Sequence, residues 1–377
     1  MAQQHLDPTD PTAQVVSGDA LAGYLRAQAT EFLRALRLHR ETGGDAGTPA
    51  RTKSRAGDNG SGESVDAARA LRRSARRISA SLHTFRPLLD ADWSEAIRPE
   101  LAWLSGTLAL EHACAARLER LLLALHRLSG ATVLPSQTGV PGMPGAASGA
   151  QKAAAGDTGP PTHPAATPER GNLTVGAAKA GALLERQLTL ARTRAHSTAL
   201  QALGSSRFHA VADSIAVLAS EVPLTPAAAT ADLRPLAAAA QERLTDAVAA
   251  LPLVTAGSPY NAEALIHGLS PDPAPHPQDA PWHQVRLLLR LHRYAREVLY
   301  SDNAPVDVRL LAAGQSLNRH RDASEAAAAA AQAARTPRIA PATAYALGVL
   351  HADQRHEVEA ARFAFQQSWQ MQRVGTP

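Results

Sequence analysis

The segment VDAARALRRSARRISASLHTF, Val65 to Phe85, decides the fold class, because its basic and apolar residues separate onto opposite sides of a helix. Apolar residues recur at intervals of three and four, which is the spacing of one face of an α-helix rather than the alternation of a strand. This apolar face consists of Leu71, Ala75, Ile78, Leu82 and Phe85. The segment therefore predicts an amphipathic helix with one side in a protein core.

The opposite face of this segment carries a stripe of arginines. At about 100° per residue, Arg69, Arg72, Arg76 and His83 fall within roughly 60° of one another, and Arg73 and Arg77 lie at the edge of the same stripe. Like charges at this spacing repel, and only Asp66 lies nearby in the sequence. We expect the stripe to bind an external anion.

A second segment, WHQVRLLLRLHRYAREVL from Trp282 to Leu299, repeats the pattern. Its basic residues fall within roughly 80° of arc on a helix, and they are His283, Arg286, Arg290 and Arg293. The intervals of three and then four residues match those of the first stripe. We interpret the two segments as an internal repeat that places two basic helices around one groove.

The rest of the chain predicts an all-α fold. Of 377 residues, 45% are hydrophobic but only 4% are aromatic, so the core must be packed mainly from Ala, Leu and Val, as in helical bundles. Capping residues, prolines and glycines predict helices over 64–85, 100–128, 173–203, 206–220, 236–250, 281–300, 305–334 with a possible break near His320, and 341–372, with a short helix over 261–268.

The predicted architecture is two four-helix bundles, related as an internal pseudo-repeat around a basic groove. The first bundle covers 15–220 and the second covers 225–373. Residues 42–64 and 130–171 are rich in Gly, Ser, Ala, Asp and Pro, a composition typical of flexible linkers.

Several function classes are disfavoured by what the sequence lacks. A single cysteine, Cys114, excludes an internal disulfide and a zinc site built on several thiolates. No motif for a phosphate-binding loop, a metal-dependent protease or a serine hydrolase is present, so we expect no catalytic residue, metal or cofactor. Neither a signal peptide in Met1–Gln14 nor a membrane span is predicted, so the expected location is the cytoplasm.

The two stripes resemble the conserved histidine α-helical domain, the CHAD family, whose halves each carry a helix with a histidine and arginines at this spacing. Further stretches are similar to the family at 84–108, 200–219, 316–323 and 345–369, and the last two contribute His320 and His351 as candidate anion ligands. The resemblance implies two four-helix bundles around a basic cavity that binds inorganic polyphosphate, here through both stripes and these two histidines.

The chain departs from the family pattern at three places. Arg69 stands where the family has a histidine, Leu287 and Leu291 stand where it has basic residues, and Arg243 is the only basic residue of 241–248. Two interpretations remain open, a polyphosphate-binding protein and a degenerate scaffold that acts through protein partners. Nucleic acid is disfavoured, because the basic helices offer few aromatic side chains for stacking bases, Phe85 and Tyr294 among them.

Overall fold

The computed structural model describes residues 17–44, 57–130, 168–258, 261–269, 276–300 and 307–370. These residues contain no β-strand, only an isolated bridge between Leu89 and Leu224, so the all-α prediction is confirmed. The helices are α1 (Gly18–Gly44), α2 (Gly57–Thr84), α3 (Ala91–Ser129), α4 (Pro168–Leu203), α5 (Ser206–Ser220), α6 (Arg234–Ala249), α7 (Leu253–Ala256), α8 (Ala262–Gly268), α9 (Ala280–Tyr300), α10 (Val308–Ala334) and α11 (Pro341–Gln370).

Helix ends follow local capping chemistry where polar side chains are available. The carboxylates of Asp90 and Asp307 accept hydrogen bonds from backbone N–H groups in the first turns of α3 and α10, and the Ser205 hydroxyl does so for α5. α3 ends at Gly130, whose φ of 68° is a left-handed conformation that glycine adopts without steric cost.

Some predicted boundaries differ from the structure. α3 begins at Ala91 and passes through Pro99, nine residues before the predicted start, because Asp90 supplies the cap. α10 is continuous through His320, where a break was expected, and α1 had no predicted boundaries. Residues 57–64 and 168–171, assigned to linkers, belong to α2 and α4, since a formed helix extends into polar residues at small cost. Residues 45–56 and 131–167 lie outside the described residues.

The first hydrophobic core lies between α1, α2, α5 and the beginning of α3. It includes fully buried Phe32, Ile78, Phe85 and Phe208, each of which stabilises the fold by about 1.5–3 kcal/mol on burial. The apolar face predicted for 65–85 points into this core, since all five of its members are buried.

A second core combines both halves of the chain. The end of α3 and α4 pack against α10 and α11 through small side chains such as Ala180, Ala330 and Ala346. Gly176 allows the closest approach, because a methyl group there would collide with the backbone of Ala342. This core therefore joins residues from both sides of the expected boundary at 220–225.

A third core is built around Trp282 and Phe365, where α6, α9, α10 and α11 meet. The rings of these two residues are 5.7 Å apart and nearly perpendicular, a favourable geometry for aromatic pairs. None of the helices that the structure describes combines the length and the apolar character that crossing a membrane requires.

Candidate functional site

α2 and α9, which carry the two arginine stripes, pack against each other. Ala80 of α2 forms a small apolar cluster with Leu291 and Tyr294 of α9. An ion pair of 2.7 Å between Arg77 Nε and a Glu297 carboxylate oxygen joins the same helices. The structure therefore brings together two segments that are about 200 residues apart in the sequence, as the predicted facing of the basic helices requires.

Four half-buried arginines form the centre of this arrangement, and we call Arg72, Arg76, Arg286 and Arg290 the arginine cluster. Among the described residues, none of the four makes an ion pair. Two of them donate hydrogen bonds to neutral partners, Arg76 Nε to Ser105 Oγ at 3.0 Å and Arg286 Nε to Asn318 Oδ1 at 2.8 Å. These partners orient the guanidinium groups without neutralising them.

Burial and unbalanced positive charge both lower the pKa values of the arginines in the cluster. Burial, followed by the positive charges of Arg72 and Arg290, lowers the pKa of Arg76 to about 10. The pKa of Arg286 is also lowered to about 10, by burial and then by Arg290 and Arg321. All remain protonated at neutral pH, so an anion that enters relieves repulsion as well as forming new hydrogen bonds.

A cavity of about 300 Å³ adjoins the cluster on the side of α3, and we call it the α3 cavity. Its ionisable lining residues are Arg72, Arg76, His112, Arg117, Arg120, Arg321, Asp322 and Glu325. Arg117, Arg120 and Arg321 were not singled out from the sequence. Arg321 lies within 316–323, one of the stretches that resemble the family. The three-residue spacing of Arg117 and Arg120, which places them on one face of α3, is the sequence pattern that could have identified them.

The outer members of the predicted stripes are neutralised or solvated. Arg69 pairs with Asp66 at 3.0 Å, and Arg293 lies 3.5 Å from Glu297, which also holds Arg77. The remaining arginine of the stripes, Arg73, is exposed. The part of the stripes that lacks ion pairs among the described residues is consequently narrower than the sequence pattern indicates, because Asp66 and Glu297 pair with three of the arginines.

The three candidate histidines occupy different environments. His320 is 1% exposed and lies beside Asp279 and Arg362, so its ring is closed to an external anion. Burial lowers its pKa to about 4, against the opposing effect of a hydrogen bond that the ring donates to the Asp279 carboxylate. His351 shares a hydrogen bond of 3.0 Å between Nδ1 and the Ala327 carbonyl oxygen, at the contact of α10 and α11. His283 is half-buried, with Nε2 3.5 Å from Ser324 Oγ.

The two leucines that replace expected basic residues are not equivalent. Leu287 is 45% exposed, so a basic side chain there would reach solvent. Leu291 is buried in the apolar contact with Ala80 and Tyr294. The apolar side chain of Leu291 thus serves the packing between α2 and α9. Nothing in the described part of the structure explains why Leu287 is not basic.

The model of the CHAD domain family matches residues 48–306, which include both arginine stripes and more than half of the chain. The chain belongs to the CHAD family. The resemblance stated from the two stripes is therefore confirmed. α10 and α11, which complete the second and third cores of this CHAD protein, lie beyond the matched residues.

Two solved structures are similar to this CHAD protein. PptA from Streptomyces chartreusis is 69% identical, with a TM-score of 0.71 over 94% of this chain and 99% of PptA. The CHAD domain from the plant Ricinus communis is 15% identical, with a TM-score of 0.44 over 95% of this chain and 97% of that domain, and this likeness adds nothing to the assignment. The search of curated proteins returned no match.

Proposed function

We propose that this CHAD protein binds inorganic polyphosphate, or a similar phosphate-rich polyanion, without catalysing a reaction on it. The observation that carries the proposal is the arginine cluster, in which two helices contribute four half-buried guanidinium groups that lack ion pairs within the described residues. Membership of the CHAD family supports it, since a basic cavity for polyphosphate is what the family resemblance implies.

The chemistry of the cluster fits a linear chain of phosphates. Each guanidinium presents a planar fork of donors that matches two phosphate oxygens, and the partly desolvated setting strengthens each contact. A hydrogen bond to a charged group is worth about 1.5–3 kcal/mol under such conditions. Polyphosphate supplies one such group per repeat, so a single chain can engage several arginines at once.

A polyanion without bases fits better than a nucleic acid. Tyr294 is the aromatic residue of α9 that lies in the contact between α2 and α9. The guanidinium carbons of Arg77 and Arg293 lie 5.5 and 5.0 Å from the centroid of its ring. This leaves its face occupied by guanidinium groups rather than open to a base. The proposed location is the cytoplasm, with polyphosphate granules as the place to look for the protein.

A second candidate is a scaffold that acts through protein partners and has weak or no polyanion binding. The observation in its favour is internal neutralisation, because Arg69, Arg77 and Arg293 are all paired with acidic residues of this chain. The exposed, uncharged Leu287 points in the same direction.

The test compares three double variants in polyphosphate binding at physiological salt. Replacing Arg72 and Arg76, or Arg286 and Arg290, by Ala should weaken binding at least tenfold, which corresponds to about 1.4 kcal/mol or more. Replacing Arg34 and Arg37 by Ala changes net charge equally but removes only exposed residues that pair with Glu31 and Glu41. That control should bind within about twofold of the parent.

Circular dichroism should show retained helix content in all three, since Ala favours helices. Equal losses in the three variants would mean that only net charge matters. A parent protein that binds no polyphosphate would reject the proposal in favour of the scaffold.

A further inference from the structure

The α3 cavity is lined by an acidic residue, Glu325, that lies between two arginines. Glu325 of α10 uses both carboxylate oxygens, with Oε1 2.8 Å from Arg321 Nε and Oε2 2.6 Å from a terminal nitrogen of Arg117. The two arginines come from α10 and α3, so the carboxylate bridges two helices as a bidentate anion would. It is a phosphate-like group supplied by the chain itself.

The bridge separates arginines that are neutralised from those that are not. Burial acts to lower the pKa of Arg321, but the hydrogen bond and charge of Glu325 outweigh it, so the pKa is raised. The pKa of every member of the arginine cluster is lowered, and Arg321 contributes to the shift in each case. Arg321 is thus the link between the cluster and the α3 cavity, and Glu325 holds it.

The carboxyl group of Glu325 is held in its ionised form by the two arginines. Burial would raise the pKa of its carboxyl, but the hydrogen bonds and charges of Arg321 and Arg117 lower it below the ordinary value. The carboxylate therefore stays ionised across the physiological pH range and competes with any anion that approaches Arg117. A small anion with few charges gains too little to replace it, whereas a chain already bound to the cluster brings its next phosphate at high effective concentration.

We infer that Glu325 is an internal anion that occupies the α3 side of the phosphate site, and that polyphosphate reaches Arg117 and Arg321 only by displacing its carboxylate. This inference rests on the proposed function and identifies the residue that limits affinity there. It also implies that the parent protein favours long chains over short phosphates, because displacement needs a ligand anchored at the arginine cluster.

The test is the isosteric change Glu325→Gln, measured with long-chain polyphosphate and with tripolyphosphate. An amide cannot accept from both guanidinium groups as a carboxylate does, so Arg117 and Arg321 become available. We expect at least a fivefold gain in affinity for polyphosphate and a larger gain for tripolyphosphate. The dependence of log affinity on log salt should become steeper by about one to two, as expected for two further phosphate contacts.

The matched control is Glu41→Gln, which makes the same change in net charge at an exposed pair with Arg37 on α1. It should change affinity by less than twofold. Thermal melting checks that Glu325→Gln folds. If it does not, Glu325→Asp keeps the charge but is too short to bridge both arginines, and it should still give a smaller gain.

The outcomes separate the inference from the proposed function. Binding by the parent with no gain in either Glu325 variant would overturn the inference alone. Binding by Glu325→Gln but not by the parent would reject the proposed function for the parent protein, while supporting Glu325 as the group that occupies the site. Failure of the parent and both folded variants to bind would reject both.

Discussion

At the scale of single residues, the functional difference between arginines lies in their partners rather than in their positions on a helix. Arg76 and Arg77 are adjacent, yet Arg77 is held by Glu297 while Arg76 donates to a neutral hydroxyl. On α9, Arg293 likewise lies beside Glu297, whereas Arg290 makes no ion pair among the described residues. Neutral partners leave the charge available to a ligand, and acidic partners remove it.

Buried charge also has a purely structural use in this molecule. Asp279 accepts hydrogen bonds from Arg355 at 2.8 Å and Arg362 at 2.7 Å, with His320 packed beside them and stacked on Trp282. Each charge in this network has a partner, which is the condition under which ionic groups are tolerated in a core. The network joins the beginning of α9 to α10 and α11.

The burial of His320 predicts a pH-dependent stability. Its pKa is about 4 in the folded protein, against roughly 6.5 when unfolded, so between these values the unfolded chain binds the additional proton. The free energy of unfolding should therefore fall as pH drops from about 6.5 towards 4, with His320 contributing about 2 kcal/mol between pH 7 and pH 5. Urea unfolding at these two pH values measures it.

The comparison variant is His320→Asn, which should be less stable at both pH values but show a smaller difference between them. Other histidines with lowered pKa, such as His292, preserve part of the dependence. An unchanged difference in the variant would show that His320 does not titrate in this range.

At the scale of helices, small residues decide how closely elements approach. α4 and α11 meet where Gly176 faces the Ala342 backbone and the Ala346 side chain. Alanine-rich faces on α10 and α11 then close the remaining space. Such packing depends on shape rather than on hydrophobicity alone, because a single methyl group occupies the available gap.

The change Gly176→Ala should destabilise the protein by about 1–3 kcal/mol, because the new methyl group overlaps the Ala342 carbonyl. This is opposite to the effect of helix propensity, which favours Ala by roughly 1 kcal/mol. Gly106 of α3 is the matched control, since nothing lies within 4 Å of a methyl group there, and Gly106→Ala should stabilise. Denaturant unfolding of both variants is the measurement, and stabilisation by both would contradict the close contact.

At the scale of the whole molecule, net charge is a poor guide to the binding surface. The formal charge is only +4 for 377 residues, yet the cluster gathers four arginines that lack ion pairs in the part of the chain that the structure describes. Acidic residues balance the total without forming an ion pair with any of these four arginines among the described residues. Local concentration of charge, rather than overall charge, sets the attraction for a polyanion.

This concentration of charge predicts strong salt dependence. If several arginines replace counterions on polyphosphate, log affinity should fall steeply and nearly linearly with log salt, by extension from nucleic acids. Binding titrations between about 50 and about 200 mM salt should show affinity for polyphosphate falling at least tenfold. Single-stranded DNA at the same salt concentration should bind more weakly. An affinity for polyphosphate that does not change with salt would contradict an electrostatic binding site.

The sequence by itself determined the helices and their faces, because helix formation and amphipathicity depend on residues within one or two turns of each other. The apolar face of 65–85, the arginine stripes and the all-α class all follow from that local periodicity. Membership of the CHAD family was likewise legible in the spacing of the two stripes.

Only the tertiary structure decided which charges are free. Glu297 and Glu325 neutralise arginines that lie 220 and 208 residues away, and no local pattern relates such positions. The packing of α3 and α4 on α10 and α11 could not be predicted from the sequence either. An alanine-rich helix face fits many partner helices, and shape complementarity determines which of them it packs against. The periodicity of the sequence thus placed the arginines on one face, and long-range contacts decided which of them lack an ion pair within the described residues.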